Sequence, residues 1–266
     1  MFPAKRRARI IELLRSEHAA SLREMAGALQ ISLSTVRRDV DYLCDAGLLQ
    51  RTHGGAMLDP AALTMVEPAP EIASAMASAE KQAIGERAAA MILPGQTVLF
   101  DSGTTTAAAA MAARDRNVPF TVVTNDLMIG SVLAGNAAIH TTVTGGYVRP
   151  GSPTLLGAGA MQMLSRLRAD IAFIGTHAVT ADSLSDTSVE LAEIKRTILH
   201  AADRVVLLAD SSKFFTTSFC TFGQLADVDL VITDDRLAPE HAATIRTLGV
   251  ALDVVDVSLP AAKGVA

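Results

Sequence analysis

Two groups of residues have the types and spacing to do chemistry. The first lies in ISLSTVRRDVDYLCDAGLLQRTHGGA, which ends at Ala56. An arginine guanidinium presents a fork of donors matching guanine O6 and N7, so Arg37 and Arg38 on an exposed helix face suit a DNA major groove. Ser32, Ser34 and Thr35, at the start of that helix, suit a phosphate held by hydroxyls and free backbone N–H groups. Arg51 and His53 follow where a hairpin would reach the sugar-phosphate backbone or a neighbouring minor groove, and Gly54 and Gly55 would let that hairpin turn tightly. The second group is DSGTTT, from Asp101 to Thr106. Here an apolar run ends in a Ser-Gly bend and a helix begins, so backbone N–H groups and the hydroxyls of Ser102, Thr104, Thr105 and Thr106 converge where a phosphate monoester would fit.

Each group has a plainer reading. An Arg-Arg pair is often only a solvated face, and threonines at a helix start often only cap it. The surrounding elements decide between these. Apolar residues Ile10, Ile11, Leu13 and Leu14 make one face of a short helix from about Lys5 to Ser16. Ser21 with Glu24 three residues on forms a capping box for a second helix lined by Leu22, Met25, Ala26 and Leu29. Ser32 or Ser34 can cap a third, with Val36, Val40, Leu43 and Cys44 inward, which leaves Thr35, Arg37, Arg38 and Asp41 facing out. LLQRTHGGAM then has the length of a small hairpin. Three helices and a wing within 57 residues predict a winged helix-turn-helix.

Charge supports this division. Residues 1–57 carry nine Lys or Arg against six acids, a balance of +3 in a chain of net charge -5, so the remainder carries -8. A basic head on an acidic body is the pattern of a polyanion-binding unit fused to something else. The lack of Trp and the 4% aromatic content disfavour base stacking on single strands. No apolar run has membrane-spanning length, and the basic N-terminus lacks a cleavable signal pattern, so a soluble cytoplasmic protein without membrane partners is expected. Cys44 and Cys220 have no metal-ligand spacing and read as small buried thiols, and no metal or cofactor is expected.

The Ala- and Pro-rich residues 58–79 read as a linker. Residues 80–266 then alternate helical stretches with the runs TVLF, FTVVTN, IHTTVTGG, DIAFIG, RVVLLAD, DLVITD and ALDVVDV. Largely apolar runs at helix-sized intervals predict parallel strands covered on both faces, a Rossmann-like α/β domain. Asn125, Gly145, Gly146, Gly175 and Asp210 each fall just past the end of such a run, on the edge where parallel sheets bind ligands. Lys195 and Lys213 can add positive charge there, while Asp101, Glu190 and Asp210 suit hydroxyl groups. A phosphorylated sugar or polyol satisfies both. The plainer alternative leaves Glu190, Lys195 and Arg196 as exposed helix charges and the glycines as turn residues.

The stretch from ISLSTVRRDV to THGGA resembles the signature of the DeoR family of bacterial transcription regulators. KQAIGERAAAMI, DSGTTT, TND, TGG, ADIAFIG, ELAEIKRTILHAADRVVLLADSSKF and DLVITD follow in the order of that family's effector domain, so the likeness spans almost the whole chain. It implies that Ser34, Thr35, Arg37 and Arg38 read and clamp double-stranded operator DNA, and that Asp39 orients an arginine. It implies an effector domain similar in fold to ribose-5-phosphate isomerase and CoA transferases. Asp101, Gly103, Thr104, Thr105, Thr106, Asn125, Gly145, Gly146, Glu190, Lys195, Asp210 and Lys213 would then line a pocket for a phosphorylated sugar or related metabolite. A homo-oligomer, dimer or tetramer, repressing a carbohydrate or polyol operon is the expected form. Thr176, His177 and Ala178 depart from the family's Ala-Asp-Gly, and TADSLSDTS lacks its usual Gly and Thr-Pro, which points to a different ligand. Two rivals are a sugar-phosphate isomerase with an accessory DNA-binding domain and an architectural protein with a structural α/β body.

Overall fold

A computed structural model describes residues 1–58 and 66–257, so residues 59–65 of the expected linker and 258–266 of the expected α/β domain lie outside the described residues. The chain divides into two compact units, Met1–Ser78 and Ala79–Ala266.

The first unit opens with α1 (Pro3–Glu17), in which Pro3 occupies the first turn, where no N–H is missed. Strand β1 (Ala19–Ser21) follows, a strand the hydrophobic pattern does not announce. Helix α2 (Leu22–Leu29) starts at the capping box: Glu24 N donates to Ser21 Oγ at 3.2 Å and Ser21 N donates to Glu24 Oε2 at 2.7 Å. Helix α3 (Leu33–Asp45) is capped by Ser32, not Ser34. Strands β2 (Leu49–Thr52) and β3 (Gly55–Leu58) form the wing, and β1 joins them in the order β1-β3-β2. Ile10, Ile11, Leu14, Met25, Val36, Val40 and Leu43 fill the core between helices and wing.

That core takes in part of the expected linker. Helix α4 (Pro70–Ala75) contributes Ile72, and Met76 follows it, both buried with the residues above. Neither cysteine is the buried thiol expected, for Cys44 and Cys220 are both half-buried. Cys44 sits at the edge of the inward stripe, where Leu43 takes the centre.

The second unit alternates helix and strand: α5 (Ser78–Ala89), β4 (Thr97–Phe100), α6 (Thr104–Asp115), β5 (Phe120–Thr124), α7 (Leu127–Ala134) and β6 (Ile139–Val143). A hairpin of β7 (Tyr147–Val148) and β8 (Leu155–Leu156) leads to α8 (Ala158–Leu164) and β9 (Ile171–Gly175). A small antiparallel sheet interrupts the pattern, with order β10-β11-β13: β10 (Ala178–Val179), β11 (Ser183–Asp186) and β13 (Cys220–Gln224). Helix α9 (Val189–Leu199) and β12 (Val205–Leu208) lie between β11 and β13, and β14 (Leu230–Asp234), α10 (Pro239–Thr247) and β15 (Ala251–Val255) complete the described chain.

The seven apolar runs make one parallel sheet in the order β15-β14-β12-β9-β4-β5-β6. Alternate side chains of each strand enter separate cores. Val98, Phe100, Ile171, Phe173, Val206 and Leu208 pack with α5, α6 and α7, and Phe100 stacks on Phe173 with centroids 5.2 Å apart. Leu99, Ala172, Ile174, Val205 and Leu207 pack with α8, α9 and α10 on the other face. The central strands β4, β9, β12 and β14 are buried on both faces and so are largely apolar along their length, without the period-two pattern of half-buried strands. Chain order reverses between β4 and β9, so the crevice beyond Phe100 and Gly175 is the topological switch point of the sheet.

Candidate functional site

On α3 the inward residues force the outward ones. Val36, Asp39, Val40 and Leu43 are buried, and Arg37 and Arg38 are exposed on the opposite side. Ser32 Oγ accepts from Thr35 N at 3.3 Å and lies 3.1 Å from Ser34 Oγ and 2.8 Å from Thr35 Oγ1, a hydroxyl cluster at the helix N-terminus. Arg38 Nε donates to Ser34 O at 3.4 Å. Asp39, the third residue of the Arg-Arg-Asp run, turns inward: Arg6 Nε donates to it at 2.5 Å and Arg7 Nε at 3.1 Å. Asp39 raises the Arg6 guanidinium pKa further, against a small opposing effect of burial. The Arg7 guanidinium also lies 3.5 Å from the centroid of the Tyr42 ring. Asp39 thus orients two arginines of α1 and locks α1 to α3, which fixes the angle at which Arg37 and Arg38 are presented.

The wing carries Arg51, His53 and Gly54 exposed. Arg51 pairs with Asp41, so the wing is tied to α3 by an exposed ion pair. Gly54 has φ +90° and makes the turn, but Gly55 does not serve it. Gly55 is buried where β1 crosses the wing, and a Cβ there would stand 2.2 Å from Ala20 O, so the close approach of two backbones requires the glycine.

At the sheet edge, Asp101, Asn125 and Thr144 each follow strand-end residues paired across β4, β5 and β6. All three are buried, yet Asp101 Oδ1, both polar atoms of the Asn125 side chain and Thr144 Oγ1 have no hydrogen-bond partner. Buried polar groups are normally satisfied, and these four atoms on neighbouring strand ends at the switch point are not. Helix α6 begins beside them at Gly103, with φ +140° and no side chain capping its N-terminus. Thr104 is half-buried and Thr105 and Ser102 are buried. Thr106 Oγ1 donates to Gly103 O at 2.9 Å, so this third threonine hydroxyl is spent on its own helix.

Asp126 is a residue the sequence reading missed, although Asn-Asp before an apolar helix is a capping signal. It caps α7, accepting from Met128 N at 2.8 Å and Ile129 N at 3.0 Å. Burial pushes its carboxyl above the ordinary range, against the bonds from Ile129, Met128 and the Gly103 backbone. Gly145 and Gly146 are exposed past β6. A Cβ on Gly146 would lie 2.2 Å from Leu156 O, so this glycine lets the β7–β8 hairpin close over the edge.

Lys195 is neither an exposed helix charge nor a free cation. It is 3% exposed and reaches the switch point from α9, where it pairs with Asp101, donates to Gly175 O at 2.9 Å and lies 3.5 Å from Asp186 Oδ2. Burial works against the ammonium, but Asp101 and Asp186 outweigh it and hold Lys195 above the ordinary lysine range. A lysine kept protonated is neither a base nor a nucleophile. Gly175 N donates to Asp101 Oδ2 at 3.1 Å, joining β9 to β4. Asp186 had no signal in the sequence, because only β11 brings it there.

The remaining predicted residues have other positions or partners. Glu190 is exposed on the first turn of α9. Asp210 is buried beyond β12, but its carboxylate accepts from Ser212 N at 3.2 Å and from Ser212 Oγ, capping its own turn. Lys213 is half-buried in that turn. His177 is half-buried, and its backbone N donates to Ser185 O at 3.2 Å, so the departing Thr176-His177-Ala178 segment is sewn into the small sheet. Among the described residues no cluster of potential metal ligands occurs and no helix is long and apolar enough to cross a membrane.

A winged helix-turn-helix followed by a parallel α/β unit with an unsatisfied switch point defines a class, the two-domain DNA-binding transcription regulator. Comparison with known proteins makes it specific. A model of the DeoR-like helix-turn-helix domain matches residues 6–61, and a model of the DeoR C terminal sensor domain matches residues 76–235. The HTH-type transcriptional regulator GlpR of Haloferax volcanii is 34% identical, over 94% of this chain and 97% of that protein. The HTH-type transcriptional repressor GlcR of Bacillus subtilis is 30% identical over 88% and 89%, and the lactose phosphotransferase system repressor of Lactococcus lactis is 31% identical over 89% and 93%. The chain belongs to the DeoR family of transcription regulators, and it is not an enzyme. Likenesses to solved structures are slighter: ribose 5-phosphate isomerase A of Methanocaldococcus jannaschii, 17% identical with TM-score 0.37, matches 50% of this chain and about half, 53%, of that one. The fold rests on its own strand order.

Proposed function

We propose that this protein is a repressor of a carbohydrate or polyol operon, released from its operator by a phosphorylated sugar bound at the C-terminal edge of the parallel sheet. The observation that carries the effector reading is Asn125: a buried side chain with neither polar atom bonded, beside Asp101 Oδ1 and the uncapped start of α6. Phosphate at that helix start and sugar hydroxyls at Asn125 and Asp101 would satisfy them together. The name of the lactose phosphotransferase system repressor fits an effector of this class. Arg37 and Arg38 would read base edges while Ser32, Ser34, Thr35, Arg51 and His53 hold phosphates. The chain would act as a homo-oligomer on paired half-sites. A ligand changes DNA affinity only by binding two arrangements of the protein unequally, so the effector must favour the arrangement that fits the operator less well.

Fluorescence anisotropy of labelled DNA from upstream of the protein's own gene, titrated with protein and a panel of sugar phosphates, tests this. Tight, salt-dependent binding that one sugar phosphate weakens is the expected result. Tight binding that no sugar phosphate alters would remove the effector and leave the DNA-binding role.

A further inference from the structure

Given the sugar-phosphate reading above, the bonds of Lys195 decide which end of the effector meets it. An ammonium has three donors. Those of Lys195 face Asp101 Oδ2, Gly175 O and Asp186 Oδ2, and the ring centroid of Phe222 lies 5.7 Å from Nζ on a further side. No N–H is left over for a ligand. One ammonium sits between two carboxyl groups, all three buried, and burial pushes the Asp101 carboxyl above its ordinary range against the pull of Lys195. The outward atom of the group is Asp101 Oδ1, buried and unpartnered. A phosphate or carboxylate set against that oxygen would find no free cation. A hydroxyl would donate to it, and the Asn125 amide and Thr144 hydroxyl beside it can complete the pattern.

Asp186 is what makes the arrangement one-sided. Asp101 alone would leave Lys195 balanced and one donor free to turn toward a ligand anion. Asp186 holds that side of the ammonium by an ion contact of 3.5 Å while its Oδ1 accepts from Thr187 N at 2.7 Å, which fixes the carboxylate in place at the end of β11. It lies in the segment TADSLSDTS, whose pattern departs from the family's. We infer that Asp186 is a specificity residue: by occupying Lys195 it closes this end of the pocket to anionic groups, so that the effector is a sugar phosphate whose far end is an uncharged polyol, with its only anion at the start of α6.

Calorimetric titration of the full chain with fructose 6-phosphate, glucitol 6-phosphate and 6-phosphogluconate separates the outcomes, since the last carries a carboxylate at the far end. Wild type should bind at least one of the uncharged-headed compounds about tenfold or more tightly than 6-phosphogluconate. Asp186→Ala should close that gap by binding 6-phosphogluconate more tightly, and Asp186→Asn, which keeps the shape and removes the charge, should close it in part. Equal affinity of wild type for the three compounds, or Asp186 variants that fold by circular dichroism and keep the wild-type preference, would overturn the inference while leaving the sugar-phosphate reading standing. Failure of all three compounds to bind would instead count against that reading. Inorganic phosphate then decides the role of Asp186: tighter binding by Asp186→Ala than by wild type retains it, and equal binding removes it.

Discussion

The outer face of α3 and the edge of the parallel sheet both depend on charge, but they keep it in opposite conditions. Arg37 and Arg38 stand in solvent, whereas Lys195, Asp101 and Asp186 are enclosed within bonding distance of one another. A hydrated arginine costs the fold almost nothing and remains free to meet a polyanion. A buried ion must be paired within the protein, and the pairing leaves little for a ligand. On the function proposed above, the first region attracts a partner and the second selects one. Asp39 shows the boundary between the two uses, since it belongs to the same Arg-Arg-Asp run yet is buried and spent on Arg6 and Arg7.

Substitutions should separate these conditions, beginning at the sheet edge. Lys195→Met would leave two carboxylates buried together and should cost the α/β unit about 3–5 kcal/mol, read from its urea midpoint. A loss below about 1 kcal/mol would mean that water reaches the group, and would erase the contrast with α3. Lys195 is held above its ordinary range, so its stabilisation is complete below the ordinary lysine pKa and is lost as pH rises through the higher folded value. The gap between wild type and variant should therefore stay flat from about pH 7 to 9.

Asp39→Ala removes the acceptor of two partly buried arginines and should lower the stability of the N-terminal unit by about 1.5–3 kcal/mol in thermal melts. Arg37→Ala and Arg38→Ala should leave stability within about 0.5 kcal/mol. If those arginines read bases, specific DNA binding should weaken by about 1–3 kcal/mol, and equal loss on operator and random DNA in anisotropy titrations would assign them to the backbone instead. The smallest effect belongs to Arg51→Ala, whose exposed pair with Asp41 should contribute about 0.2–1 kcal/mol to stability and less as salt is raised.

Much of this was legible in the chain. Helix periodicity, the capping box at Ser21 and the apolar runs located α1, α2 and α3 and all seven parallel strands, because each signal is local and the residues that bury a strand lie within it. Strand β1 was not legible: Ala19 to Ser21 carries no β pattern, and it pairs with β3 only because Gly55 lets the backbones meet. The sheet edge was legible in part. Strand ends named Asp101, Asn125 and Asp210, while Thr106 and Glu190 were drawn in by type, and neighbours within a few residues had already claimed Thr106 and Asp210.

By itself, then, the sequence determined which residues are helical or extended, which carry charge outward on α3, and which follow the ends of parallel strands. Only the tertiary structure decided the state of Lys195. Its partners lie at residues 101, 175 and 186, on β4, β9 and β11, and spacing along one helix cannot distinguish an exposed lysine from one enclosed by strands that arrive from elsewhere in the chain. Burial and pairing are properties of the assembled sheet, and they alone turn the same ammonium from an exposed helix charge into the fixed centre of a buried ion-paired group.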